Sequence, residues 1–87
     1  GNTVGAIGAF QEAIRIKPET PEAYLNIADI REQRGDLEHA IAQLRSGVEL
    51  MPDNAALQQR IGDLSLRAEK LDDSIKAYSK VLEVQPG

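Results

Sequence analysis

The stretch AIRIKP at residues 13–18 returns as GVELMP at 47–52 and again as VLEVQP at 81–86. The prolines that close these stretches, Pro18, Pro52 and Pro86, are separated by 34 residues in both intervals. A fixed period of this length indicates a repeated structural unit. The sequence is therefore interpreted as a set of repeats before any single motif is weighed.

Small and large side chains recur in the same register as the prolines. Three sets coincide when the chain is aligned on them: Ala6, Ala40 and Ser74; Phe10, Leu44 and Tyr78; Ala13, Gly47 and Val81. Spacings of four and then three residues place each small, large, small triplet on one face of a helix. The small side chains let a neighbouring helix approach, and the large one fills the space between them. Each repeat is therefore expected to contain a closely packed helix.

Turn residues mark where the helices begin. Gly35 followed by Asp36 predicts a turn and then an N-cap, and Gly1 with Asn2 stands in the equivalent place one period earlier. After the first repeated proline, Thr20 is the expected N-cap, with Pro21 at the first helical position. After the second, Asp53 or Asn54 fills the same role.

These signals predict five helices and no strands. Their expected ranges are 3–17, 21–34, 37–51, 55–68 and 71–84. The connecting turns are short, so that consecutive helices should pack antiparallel. There is no sustained alternation of apolar and polar residues, which is the pattern of a strand. The predicted class is all-α.

Composition limits the kinds of protein that this chain can be. Its 87 residues allow one domain, and the lack of cysteine excludes disulfides and thiolate metal sites. The net charge of −4, with acids and bases interspersed, argues against a nucleic-acid partner. No apolar run reaches the roughly 20 residues of a membrane span, and no secretion signal opens the chain. We expect a soluble protein with the cytoplasm favoured, although a mature exported fragment would have the same features.

The pattern of residues resembles the tetratricopeptide repeat, a 34-residue pair of helices, over nearly the whole chain. The central repeat carries the family's pattern at Tyr24, Ile27, Ala28, Ala40, Leu44, Gly47 and Pro52, and the last repeat at Ile61, Gly62, Ser74, Tyr78, Val81 and Pro86. Departures from the pattern occur at Arg31, Gln58 and Ser65, where the family has aromatic residues. The resemblance implies an α-solenoid of antiparallel helix pairs with about two and a half repeats. Residues 1–20 would be the second helix of a truncated repeat, and 21–54 and 55–87 would be full repeats.

A truncated array is expected to leave apolar side chains uncovered at both ends. Phe10 at one end, and Tyr78, Leu82 and Val84 at the other, would normally lie under a neighbouring repeat. The sequence therefore also predicts either self-association through these ends or marginal stability. Met51 and the leucine and isoleucine positions at helical spacing are expected to form the core.

Residues that could support catalysis or metal binding are scarce. His39 is the only histidine and is expected on the convex, solvated side of the stack. Asp72 and Asp73, at a helix start, have the pattern of acids that compensate the helix dipole, with no calcium-loop spacing around them. The glycines form no phosphate-binding loop. We therefore expect no enzyme activity, no cofactor and no metal.

A binding groove is the better expectation for function. Stacked helix pairs place their first helices along a concave face. The residues predicted to face this groove are Glu22, Leu25, Asn26, Asp29, Glu32, Gln33, Ala56, Gln59, Arg60, Asp63, Leu66 and Arg67. Such a surface can hold an extended peptide or a helix of a partner protein, with Arg60 binding a carboxylate through two hydrogen bonds.

Two binding modes known in the family match this sequence only in part. The mode that holds the carboxyl terminus of heat-shock chaperones is matched at Asn26 and Arg60, but Ala56 stands where a lysine is needed. The stretch AYLNIADIREQRGDLEHAI, residues 23–41, is similar to the superhelical arm of the glycosyltransferase that modifies serine and threonine with N-acetylglucosamine. Asn26 matches the asparagine ladder of that arm, and Arg60 interrupts it. The sequence thus predicts a protein-interaction scaffold, with a substrate-recognition arm of a larger enzyme or a self-assembly module as alternatives.

Overall fold

The computed structural model describes residues 3–85, and every regular element within that range is an α-helix. In chain order the five helices are α1 Thr3–Ile16, α2 Pro21–Gln33, α3 Leu37–Leu50, α4 Ala55–Arg67 and α5 Leu71–Val84. The predicted all-α class and the number and order of helices are confirmed. The first four helices end one residue earlier than predicted, because the next residue leaves helical geometry while its amide still bonds to the last turn. Met51, for example, has φ of −132° and donates to the Gly47 carbonyl at 2.9 Å.

The helix starts use the predicted capping residues in different ways. The Asn54 side chain accepts a hydrogen bond from the Leu57 amide at 3.0 Å, and Asp36 accepts one from the His39 amide at 3.4 Å. Thr20 is the N-cap of α2, as predicted, but its hydroxyl does not bond to the helix amides. Pro21 at the first helical position sets φ in advance and needs no hydrogen-bond partner for its nitrogen. The start of α2 is therefore fixed by the proline ring.

The turns inside the two helix pairs have the same backbone geometry. Gly35, between α2 and α3, has φ of +77°, and Glu69, 34 residues later between α4 and α5, has φ of +60°. In both turns an amide donates to the carbonyl five residues earlier, from Asp36 to Arg31 at 2.9 Å and from Lys70 to Ser65 at 2.8 Å. The period found in the sequence therefore extends to the backbone. The start signal at Gly1 and Asn2 and the last repeated proline, Pro86, lie outside the described residues.

The helices form an open, curved stack. Consecutive helices pack on one another, and α2 also approaches α4 to within 8 Å between Cα atoms. Over residues 3–85 the second helices do not come this close: neither α1 and α3 nor α3 and α5 have Cα atoms within 8 Å. Because α2 and α4 are drawn together while α3 and α5 stay apart, the stack bends toward α2 and α4. The predicted concave side is therefore formed by these two helices.

The core lies where the two helix pairs meet. Ile27, Leu44, Leu57 and Leu64 are fully buried, and Tyr24 is 2% exposed. Gly47 lets the Tyr24 ring approach the backbone of α3, since a Cβ added at Gly47 would lie 2.9 Å from Tyr24 Cγ. The predicted small, large, small packing is thus complete in α3. In α5, Ser74 is buried and donates to the Gly62 carbonyl at 2.9 Å, whereas Tyr78 is only partly covered.

Several apolar positions expected in the core are exposed instead. Ile16, Leu50, Leu71 and Ile75 are 70%, 47%, 59% and 63% exposed. The expectation that the leucine and isoleucine positions form the core is wrong for these four, because no neighbouring helix covers their side chains in the described part of the chain. Leu82, predicted to be uncovered, is 68% exposed. Among residues 3–85 no helix has the length and apolar character that crossing a membrane requires.

Candidate functional site

The predicted groove residues occupy α2 and α4, the two helices on the concave side. We call the surface formed by these helices the inner groove. Its members differ in exposure: Glu22, Asn26, Gln33, Gln59, Asp63 and Arg67 are exposed, and Leu25, Asp29, Glu32 and Arg60 are partly buried. These ten residues, and the exposed Ala56 and Leu66, are therefore at the surface or close to it.

A hollow of about 310 Å³ is the part of the inner groove with a defined shape. It is lined by Leu25 from α2 and by Ala56, Gln59, Arg60 and Asp63 from α4. An apolar side chain and a small one form one part of its wall, and an amide, a guanidinium and a carboxylate form the rest. The structure thus brings five of the predicted residues together. The other seven predicted residues lie outside the lining of this hollow: Glu22, Asn26, Asp29, Glu32, Gln33, Leu66 and Arg67.

Charged side chains link α2 and α4 along the inner groove. Arg60 donates to Asp29, and its Nη1 lies 3.9 Å from Oε1 of Glu32. Arg67, about two helical turns further along α4, donates to the other carboxylate oxygen of Glu32. The sequence places acids on α2 and bases on α4, but it does not show that they neutralise each other. The expected role of Arg60 in binding a partner's carboxylate stays a prediction; within this chain its guanidinium is bonded to Asp29 and lies beside Glu32.

Asp63 connects the inner groove to α5. The Tyr78 hydroxyl donates a hydrogen bond to Asp63 Oδ1. That hydrogen bond raises the pKa of Tyr78, and partial burial and the negative charge of Asp63 raise it further. The Tyr78 hydroxyl of α5 therefore fixes the orientation of the Asp63 carboxylate at the edge of the hollow.

His39 lies away from the inner groove, at the start of α3. Its side chain is 72% exposed, and its Nδ1 lies 2.8 Å from Asp36 Oδ2. Desolvation raises the pKa of Asp36, but the hydrogen bonds from His39 and the positive charges of His39 and Arg31 outweigh it and leave the pKa lowered. The predicted solvated position of His39 is confirmed. Within residues 3–85 no three His, Asp or Glu side chains cluster as a metal site requires.

A protein-family model described as Tetratricopeptide repeat matches residues 1–59. The chain belongs to the tetratricopeptide repeat family. The resemblance seen in the sequence is thereby confirmed, and it agrees with the open stack of antiparallel helix pairs.

Known tetratricopeptide repeat proteins are similar to this chain over part of their length. The TPR repeat-containing protein MJ0941 of Methanocaldococcus jannaschii is 41% identical over 51 residues, which are 59% of this chain and 15% of that protein. Two solved structures share the fold. The MamA RS-1 ArsTM double mutant superposes with a TM-score of 0.82 at 19% identity over 97% of this chain, and a crystal structure of MamA protein with a TM-score of 0.80 at 24% identity over 95%. The chain spans 47% and 45% of these two structures.

Membership of the family assigns a general function. Tetratricopeptide repeats serve as scaffolds for protein interactions, and a fold of this type is typically non-catalytic. Stacked repeats of this kind present an extended concave surface to a partner. In this general sense, without a named partner, the chain is a protein-interaction scaffold.

A cavity between α3 and α5 was not predicted from the sequence. It has a volume of about 460 Å³ and lies between α3 and α5, on the side opposite the inner groove. We call it the outer cleft. It is lined by Arg45, Val48, Gln58, Ile61, Asp73, Lys76, Ala77, Ser79, Lys80 and Glu83. The sequence signal that could have indicated it is the pair Lys76 and Lys80, one helical turn apart beside the small Ala77.

Proposed function

We propose that the inner groove binds a segment of a partner protein, either extended or helical. The observation that supports this is the hollow between α2 and α4, which has an apolar wall at Leu25 and polar groups at Gln59, Arg60 and Asp63. One apolar side chain of a partner can enter such a hollow, while the side-chain amides of Asn26 and Gln59 hydrogen-bond to the partner backbone. The binding surface proposed is formed by Glu22, Leu25, Asn26, Asp29, Glu32, Gln33, Gln59, Arg60, Asp63 and Arg67.

The charges of the inner groove favour a basic segment. Glu22, Asp29, Glu32 and Asp63 are four carboxylates, against the two guanidinium groups of Arg60 and Arg67. Arg60 and Arg67 are both paired with acids of α2, so that the surface left to a partner is acidic. Complementary charge speeds association and suppresses wrong partners. We therefore expect the bound segment to carry lysine or arginine near an apolar residue.

Substitution of Asp63 by asparagine tests the proposal. The amide oxygen of asparagine still accepts the Tyr78 hydrogen bond, so the fold is kept while one charge at the hollow is removed. A peptide selected from a random library on the wild-type chain should bind the Asp63→Asn variant about tenfold more weakly, or ~1.4 kcal/mol, by fluorescence anisotropy. Asp72→Asn, at an exposed position on α5, makes the same charge change and should leave affinity unaltered.

A second substitution should act in the opposite direction. Arg60→Gln releases Asp29 and leaves Glu32 paired with Arg67 alone, so the affinity for a basic peptide should rise. If Asp63→Asn and Asp72→Asn weaken binding equally, or if Arg60→Gln weakens it, the peptide does not lie in the inner groove.

Self-association is a second candidate, supported by the exposed apolar face of α5. Leu71, Ile75 and Leu82 are spaced four and seven residues apart and are 59%, 63% and 68% exposed. Side chains at this spacing share one face of a helix. At the far end of the stack, Val4 and Ile16 on α1 are 72% and 70% exposed. We propose that this face of α5 packs on α1 of another copy of the chain, where Val4 and Ile16 are exposed, as helices of adjacent repeats do.

Ile75→Lys tests the self-association. Burial of an isoleucine contributes about 1.5 to 3 kcal/mol, so the substitution should raise the dissociation constant at least about tenfold in sedimentation velocity across a concentration series. Leu66→Lys, on α4, removes an exposed apolar side chain elsewhere and should leave the constant unaltered. A wild-type chain that stays monomeric throughout the series would exclude this candidate and would leave the inner groove proposal standing.

We also propose that the repeats divide at residues 21–54 and 55–87, with residues 1–20 forming the second helix of an earlier repeat. The matching turns at Gly35 and Glu69 support this division. The alternative of a recognition arm in a larger enzyme stays a prediction.

A further inference from the structure

The outer cleft exists because the second helices of the two pairs are separated. Within residues 3–85, α3 and α5 have no Cα atoms within 8 Å of each other, and α4 packs on both. Residues of α4 therefore form the floor of a cleft whose walls are α3 and α5. Its volume of about 460 Å³ falls in the range of protein sites that hold a ligand or a few side chains.

The floor and lower walls of the outer cleft are apolar. Val48 of α3, Ile61 of α4 and Ala77 of α5 line it, and Ile61 and Ala77 are each 5% exposed. The Cβ of Ala77 is its whole side chain, so α5 leaves room at this point for a group from outside. An apolar side chain placed here would lose its contact with water against three apolar neighbours, which is favourable.

The rim of the outer cleft is charged, and most of its charges are already paired. Arg45 of α3 lies 3.5 Å from Asp73 of α5. Lys80 lies 3.2 Å from Asp53 and 3.4 Å from Glu83. These pairs fix the positions of the rim side chains but leave little charge for a partner.

Lys76 is the exception on this rim. It is exposed, lines the outer cleft one turn before Lys80, and has no carboxylate within ion-pair distance in the part of the chain that the structure describes. The cleft is lined by three cationic side chains and two carboxylates, in a chain whose net charge is −4. With Asp53, which pairs with Lys80, the rim carries three cations and three carboxylates, and all three carboxylates are taken by Arg45 and Lys80. Among the described residues Lys76 is therefore the rim cation left for a partner, whereas the inner groove has an excess of acids.

We propose that the outer cleft is a second docking site, which binds a segment of a partner protein carrying an apolar side chain next to a carboxylate. The apolar side chain enters between α3 and α5 and contacts Val48, Ile61 and Ala77. The carboxylate pairs with Lys76, which satisfies a cation that has no such partner among the described residues. The two faces of the stack then select opposite charges: the inner groove binds basic segments and the outer cleft binds acidic ones.

A short capped peptide, acetyl-Glu-Leu-Glu-amide, is the probe that tests this site, and NMR titration of the isotope-labelled chain is the measurement. The amide resonances of Val48 and Ala77 should shift with saturation, while those of Leu25 and Gln59 should not.

Lys76→Glu should weaken the binding about fivefold, because an attractive charge becomes a repulsive one. Lys17→Glu, at an exposed position in the turn after α1, makes the same change in net charge and should have no effect. Added salt should weaken the wild-type binding, since the charges are at the surface.

Several results would overturn the proposal. Equal binding of acetyl-Lys-Leu-Lys-amide would show that charge does not select the occupant, and equal effects of Lys76→Glu and Lys17→Glu would place the peptide elsewhere. Self-association that Lys76→Glu abolishes, without any binding of the acidic peptide, would make a second copy of the chain the occupant. Asp63→Asn should leave this titration unaltered, so that the failure of one site is distinguishable from the failure of the other.

Discussion

Replacement of Tyr24 by alanine is expected to lower the free energy of unfolding by about 3 to 5 kcal/mol. The Tyr24 ring is 2% exposed and lies against the backbone of α3 at Gly47, and its hydroxyl donates to the Pro18 carbonyl at 2.8 Å. The side chain therefore joins three parts of the chain: α2, α3 and the turn that follows α1. Because a chain of this length has a net stability of about 4 to 13 kcal/mol, the variant should be largely destabilised. Urea denaturation followed by circular dichroism at the helix band measures the change.

Tyr24→Phe is the matched control for this prediction. It keeps the ring against Gly47 and removes only the hydrogen bond to Pro18, which should cost about 1 kcal/mol. Similar losses for the alanine and phenylalanine variants would show that the hydrogen bond, and not the packing of the ring, holds α2 against α3.

Leu57→Ala is expected to cost about 2 to 5 kcal/mol, because it leaves a cavity at the joint between the two helix pairs. Leu57 is fully buried at the start of α4, and its Cδ1 lies 3.2 Å from the point where a Cβ on Gly47 of α3 would be. The same denaturation experiment measures its effect.

Leu66→Ala, on the same helix, is the control. Leu66 is 51% exposed, so that its removal should change the stability by no more than about 0.5 kcal/mol. Equal losses at Leu57 and Leu66 would contradict the burial pattern of α4 and the way in which the pairs are stacked.

The helices were predictable because their limits depend on local chemistry. Pro21, Gly35 and Asn54 act through their own backbone or side chain within one turn, so that their effect can be inferred from neighbouring residues alone. The turn at Glu69 could not be inferred from neighbouring residues. Glu69 adopts the left-handed geometry of Gly35 in the equivalent turn, although glutamate has no intrinsic preference for it. Only the 34-residue register points to a turn there.

The position of the inner groove was also predictable, but its chemistry was not. The repeat register assigns α2 and α4 to the concave side, and the exposed residues follow from the helical period. The pairing of Arg60 with Asp29 joins residues 31 positions apart, and it depends on the separation of two helices that the sequence does not specify. Likewise, periodicity shows that Leu71 and Ile75 share a helix face, but not whether another helix covers that face.

The lysines of α5 indicate one wall of the outer cleft, but the cleft itself could not be predicted, since it is a space between helices and not a property of either one. Arg45 and Asp73 lie on different helix pairs and make their 3.5 Å contact across that space. A sequence shows the composition of each wall, whereas the distance between the walls results from the curvature of the stack.

The contact between α2 and α4 has a mechanical consequence. Since the backbones of α2 and α4 approach within 8 Å between Cα atoms while those of α3 and α5 do not, the line along which α2 meets α4 is the natural axis for a change of curvature. When the α4–α5 pair rotates about that axis, α4 moves little because it lies on the axis. The distance between α5 and α3 changes more, because α5 lies farther from the axis. A pair of spectroscopic labels on α3 and α5 would therefore report bending of the molecule with more sensitivity than a pair placed on the concave side.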